Sequence, residues 1–262
     1  MIVTLVLVLG LALVVYARES RPAADASQPQ IGDHWHVAYG FFLCDTWVQL
    51  DGDAEERDAN GSFINVDFAR TGVHSHDDGL IHWHANSRAA VGRLATFGVF
   101  LDVYDIELNA DRLVFPPEQW SELPPGAPED GVYESGVTTC NIDGEDVTGS
   151  VQAVVWDNFT DTDDGTTFIA AFDSIRIDKN AKVIAVAFVP DNTDVVMPPW
   201  AQQLPELGAI DGGQELPDGS LFSDSDIPEG EVPTITAGEP GDAPDEAEST
   251  SVDDSDTSET DE

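Results

Sequence analysis

The alternation of apolar and polar residues is clearest over residues 31–44. Read with a period of two, Trp35, Val37, Tyr39, Phe41 and Leu43 share one face, and His34, His36, Ala38 and Gly40 share the other. This predicts a strand with an apolar face and, near its start, two histidines on the opposite one. Residues 138–142, 147–156, 168–177 and 182–189 are also β-rich, with turn signals at Asp143-Gly144 and Asp178-Lys179-Asn180. Residues 62–68 read as a further strand, and 106–115 as a small hairpin around Asn109-Ala110-Asp111. One stretch has a different period. After Ser87, a residue suited to capping, Ala89, Ala90, Val91, Leu94, Ala95, Phe97, Val99 and Phe100 predict a helix over about residues 88–103, weakened by Gly92 and Gly98. Residues 49–60 form a polar, acidic loop and 116–131 a proline-rich connection. The pattern predicts one α+β domain over residues 31–210, mainly antiparallel β-sheet with one principal helix.

The six histidines occur only as His-x-His pairs: His34 and His36, His74 and His76, His82 and His84. Alternation along a strand points both members of a pair to one face. Asp77-Asp78-Gly79 suits a three-residue hairpin loop closed by a left-handed glycine. That loop pairs His74 with His82 and His76 with Leu80, and gathers four imidazoles on one face. A two-residue Asp78-Gly79 turn would pair His76 with Ile81 and split them. The strand carrying His34 and His36 lying alongside would add two more ligands. Clustered imidazoles suit a borderline ion, zinc or copper(II). Six exceed one tetrahedral site, so either two sites share them or some do not ligate. Asp33, Asp77 and Asp78 are candidates to orient imidazole N–H groups from outside the ligand set. An aspartate in a turn needs no metal to explain it, and for Asp78 that is the simpler account. Asp161-Thr162-Asp163-Asp164-Gly165 has a superficial likeness to a calcium loop, but Phe172 stands where the twelfth position needs glutamate, so it reads as a surface turn.

The two cysteines, Cys44 and Cys140, fit the metal poorly, since Cys44 lies eight strand residues, about 26 Å, beyond His36. Outside the cytoplasm they would form a disulfide that closes a loop of almost a hundred residues and ties the histidine half to the β-rich half. Two unrelated buried thiols are the alternative.

Charge narrows the partners. Acidic residues number 51 against 10 basic, a net charge of −41, which disfavours nucleic acid and anionic lipid headgroups and attracts cations. A high-salt habitat would produce the same bias. Residues 2–16 are apolar and uncharged, and Arg18 and Arg21 follow. Residues 1–18 therefore read as a signal-anchor or uncleaved signal, the membrane partner of the chain, and 19–30 as a linker. The flanking arginines would place their side in the cytoplasm, against the extracytoplasmic location preferred for the folded domain; basic residues from an upstream start codon would reconcile the two. Residues 211–262 are polar and acidic, and no Lys or Arg follows Lys182, which predicts a disordered acidic tail.

Asp33-His34-Trp35-His36, Cys44 and the run from Gly72 through His74, His76, Gly79 and Ile81 to His82 and His84 resemble the motifs of a family of uncharacterised actinobacterial membrane-anchored proteins. The resemblance extends over roughly residues 31–200, through the predicted helix, Cys140 and Ala187-Phe188-Val189-Pro190. Asp77 stands where the family favours glycine, and Ala85 where proline is common. The resemblance implies an anchor and a histidine cluster, and it implies no reaction. Three functions fit the residues: a membrane-anchored protein outside the cytoplasm that binds zinc or copper, a zinc-dependent hydrolase or hydratase, and a pH-sensitive interaction module of the cell envelope.

Overall fold

The structure is a computed structural model that describes residues 27–211 together with Leu9, Gly10 and Leu13. The expected anchor (1–18) lies outside the described residues apart from those three, and the acidic tail lies outside them from 212 onward. Among the described residues no helix is long and apolar enough to cross a membrane.

The fold is built on β1 (His34–Leu43), the strand with the clearest alternation. Its odd residues Val37, Tyr39, Phe41 and Leu43 enter the larger core, and Ala38 enters a second core on the opposite face. Along one edge β1 pairs with β2 (Thr46–Val48) and β4 (Leu80–His84), both antiparallel. Along the other it pairs in parallel with β11 (Val183–Pro190), from Ala38↔Val183 to Leu43↔Phe188. A mainly antiparallel sheet was the expectation, and among the described strands this is the one parallel pairing. The parallel pair arises because β11, the run Val-Ile-Ala-Val-Ala-Phe-Val, is apolar on both faces and belongs in a sheet centre covered on both sides. The eight-stranded sheet runs β10 (Thr166–Phe168), β9 (Glu145–Trp156), β11, β1, β4 and β3 (Val73–His74), with β8 (Thr139–Ile142) on β9. A three-stranded sheet joins β5 (Glu107–Leu108), β6 (Arg112–Val114) and β7 (Val132–Glu134), its first hairpin as expected. The result is mostly strand in mixed sheets, with few helices, as one folded domain.

Three expected elements differ. Residues 62–68 do not form a strand: helix α1 (Val66–Thr71) begins at Asn65, whose side chain accepts from the N–H groups of Asp67 and Phe68, and ends at the left-handed Gly72. The helix expected over 88–103 is broken. Ser87 does cap, accepting from Ala89 N–H, but only short 3₁₀ turns follow at Arg88–Ala90 and Gly92–Leu94 before helix α2 (Phe97–Val103). The 168–177 strand stops at Phe168, and a 3₁₀ turn at Phe172–Ser174 replaces the rest. The last two corrections have one cause. Residues 95–97 and 175–177 are extended against each other, with Phe97 N–H donating to Ile175 O and Ile177 N–H to Ala95 O. That pairing removes residue 96 from any helix and residues 175–177 from the main sheet.

Cys44 and Cys140 are joined as a disulfide across 96 residues of chain, with Cα atoms 5.3 Å apart. It links the end of β1 to β8 and so joins the two halves of the chain.

Candidate metal centre

Registry brings the histidines together. On β1 and β4, His34 lies opposite His84 and His36 opposite His82; on β3 and β4, His74 lies opposite His82. The expected His74–His82 pair is therefore present. The expected His76–Leu80 pair is not: the β3–β4 ladder ends at His74, while on its other edge Leu80 pairs with Ala38 of β1. His76 sits in the loop, with Asp77 as well as Gly79 in the left-handed region. It still faces the cluster: its ring centroid is 4.6 Å from that of His74 and 4.6 Å from that of His82. Neighbouring rings across the set lie 3.9 Å (His34–His84), 4.6 Å (His34–His36), 5.0 Å (His36–His82), 5.4 Å (His74–His82) and 5.3 Å (His74–His84) apart.

Among the described residues, two groups have ligand atoms that all lie within 4.8 Å of one another: His34, His36 and His82, and Glu55, His74 and His76. His84 stacks beside His34 and belongs to neither. Glu55 comes from the acidic 49–60 loop and has no counterpart in the sequence reading, because nothing local marks one acid among many.

The surroundings of His82 and His74 bear on which nitrogen of each carries the hydrogen. The His82 Nε2 is 2.9 Å from Asp78 Oδ2. Burial alone would raise the Asp78 carboxyl, but the bond to His82 and the charges of His82 and His76 outweigh it and hold the group below the usual carboxylate value. An ionised carboxylate only accepts, so Nε2 carries a hydrogen, and in the neutral ring the lone pair is on Nδ1. Asp78 thus contacts a histidine as well as shaping the turn, where its Oδ1 accepts from Leu80 N–H. The His74 Nδ1 faces the Gly72 carbonyl at 3.4 Å, which leaves the lone pair on Nε2, 3.1 Å from His76 Nε2. Burial, then the nearby His76, His82 and His84, push the His74 pKa down to about 3, so this ring is neutral and ligand-ready at neutral pH. Of the other expected orienting residues, Asp33 Oδ2 accepts from Gln30 N–H, and Asp77 Oδ1 accepts from Gly52 N–H across to the Glu55 loop.

The core side fixes the loop that carries His76. Tyr39 OH donates to Ser75 Oγ and accepts from Leu50 N–H; Tyr104 OH accepts from Ser75 N–H and donates to Ser75 O. Ser75 is thereby turned inward and engaged. On the histidine face, the sheet beyond the imidazoles is pared down to Ala38 and Gly40, and a covering segment lies over it. Trp200 Nε1 donates to Tyr39 O, and a Cβ on Gly40 would stand 2.8 Å from the Trp200 ring. Helix α3 (Leu204–Asp211) follows, where a Cβ on Gly208 would stand 2.8 Å from His36 Nδ1. The fold therefore continues past Pro198-Pro199, to the end of the expected 31–210 domain. Tyr39, Tyr104, Trp200 and Gly208 are supports that no local pattern singles out.

Compared with known proteins, the chain matches no family model, no curated protein and no solved structure.

Proposed function

We propose that this protein binds a borderline transition ion, zinc or copper(II), on the histidine face, and captures or buffers it. The observation that carries this reading is the convergence of His34, His36 and His82, whose ligand atoms all lie within 4.8 Å of one another across two paired strands. Ligand nitrogens around a tetrahedral zinc ion stand about 3.3 Å apart, so modest side-chain rotations close the group on an ion. Asp78 supports the reading by holding the His82 ring through Nε2, as a carboxylate beyond a metal-ligating imidazole does. The Cys44–Cys140 disulfide favours an oxidising compartment; with the apolar 2–16 run it supports a domain held outside the cytoplasm by a membrane anchor. Kinship with the actinobacterial proteins whose motifs it resembles belongs to the same reading.

The test is elemental mass spectrometry on untagged protein from its native compartment. At least one zinc or copper per chain is expected, with a thermal shift on adding either ion to the stripped protein. His34→Ala/His36→Ala should lower the affinity of the all-imidazole group by a hundredfold or more, since it removes two of three donors. Absence of metal, together with no thermal response to zinc, copper or nickel, overturns the proposal.

A further inference from the structure

The second group of donors lies beside the first and differs from it in chemistry. We infer that Glu55, His74 and His76 form a second metal site with a carboxylate in its donor set, so that the face holds two neighbouring ions. The inference deepens the proposed metal binding and rests on it.

The nitrogens come first. With its Nδ1 turned to the Gly72 carbonyl, His74 presents its Nε2 lone pair to His76 Nε2 at 3.1 Å. That separation is within a few tenths of an ångström of the roughly 3.3 Å between two nitrogens on one tetrahedral zinc. Only one hydrogen can stand between two such lone pairs, and a cation that replaces it finds both already aimed at it. The rings are held from both sides. His74 is buried against Phe68, ring centroids 5.1 Å apart, and the His76 backbone follows Ser75, which Tyr39 and Tyr104 pin.

The third donor is placed by its own supports. Glu55 follows Ala54, which is buried in the larger core, and its N–H donates to Asp53 Oδ1. Upstream, the buried Gln119 side chain grips the loop from both sides of its amide: Oε1 accepts from Asp51 N–H, and Nε2 donates to Asp51 O. Gly52 N–H donates to Asp77 at the hairpin tip. An acidic surface loop is thus tied to the hairpin that carries His74 and His76, and a carboxylate oxygen of its glutamate lies within 4.8 Å of a ring nitrogen of each.

Two imidazoles and a carboxylate form a harder donor set than three imidazoles. With zinc they leave a fourth position open, and the exposure of Glu55 and His76 turns it to solvent. The all-imidazole group is the better copper site, and the carboxylate group the better zinc site. His82 stands between them, its ring 4.6 Å from His76 and 5.0 Å from His36.

The experiment is native mass spectrometry and calorimetric titration of the stripped full chain with zinc chloride. Two zinc ions per wild-type chain are expected. Glu55→Gln/His76→Ala, both at exposed positions and so safe for folding, should hold one zinc, and His34→Ala/His36→Ala should hold the other. If Glu55→Gln/His76→Ala leaves the stoichiometry unchanged, Glu55 is only a charge partner of the histidines and the second site is refuted. If the wild type binds one ion, lost with His34 and His36, this inference fails while the proposed metal binding stands. If the wild type binds none, both fail.

Discussion

At the scale of single residues, the buried tyrosines tie the core to the site. Tyr39 and Tyr104 hold Ser75 and Leu50 through their hydroxyls, and each lies in the apolar core. Burial raises the pKa of both well above the ordinary 10.0, and it pushes Tyr133 up to about 12. A group whose folded-state pKa is raised contributes stability that is complete below the unfolded value and is lost as the pH climbs through the folded one. The folded state should therefore weaken progressively above pH 10.0, while these three phenols stay protonated until the chain unfolds. An ultraviolet titration of phenolate checks it. Of the four tyrosines, three silent in the folded protein and appearing with the unfolding transition is the expected result; more than one phenolate near pH 10.0 without unfolding would show that the hydroxyls are not buried as described.

Elements show how side-chain size governs what may lie on the sheet. On its histidine face β1 changes from imidazoles to Ala38 and Gly40, and the bare backbone admits Trp200 and Trp47. Gly40→Ala would set a methyl 2.8 Å from one indole and 2.9 Å from the other. Overpacking of this kind costs about 1–3 kcal/mol, against a gain of at most ~1 kcal/mol from replacing a strand glycine. The net effect should be destabilising, read as a lower urea midpoint. Equal or higher stability would mean that the covering segment swings aside without cost. The helix broken between residues 88 and 103 teaches the same lesson. Its periodicity was real, since Ala90, Ala95, Phe97 and Phe100 are all buried, but burial was met by short turns because residues 95–97 pair with 175–177.

For the whole molecule, one covalent link and one parallel pairing join distant parts of the chain. The disulfide closes 96 residues, and β1 meets β11 more than a hundred residues later in the chain. On the chain-entropy account a loop of this size contributes about 4–5 kcal/mol, a large share of a typical domain's stability. Cys44→Ser/Cys140→Ser should lower the folding free energy by up to that amount, measured by urea unfolding. A loss below about 1 kcal/mol would place the stability in the parallel pair and the two cores alone.

The sequence by itself determined the elements whose signal is local. The alternation of β1 is one, with His34 and His36 on its less apolar face; the β5–β6 hairpin, the opposition of His74 and His82 and the pairing of two lone cysteines are others. The first two follow from a period of two and a turn composition, which nearby residues carry; the histidine opposition and the disulfide were each one of two readings, between which the structure decided. Only the tertiary structure decided the rest. Asn65 and Gly72 cap a helix where alternation suggested a strand, because two capping contacts outweigh a short apolar pattern. Residues 175–177 left the main sheet for a partner eighty residues away in sequence. Glu55 joined His74 and His76 because Gln119, Ala54 and Asp77 position its loop. The helix caps lie within one short window, but no window holds the other contacts, since the residues that make them are neighbours only after the chain has folded.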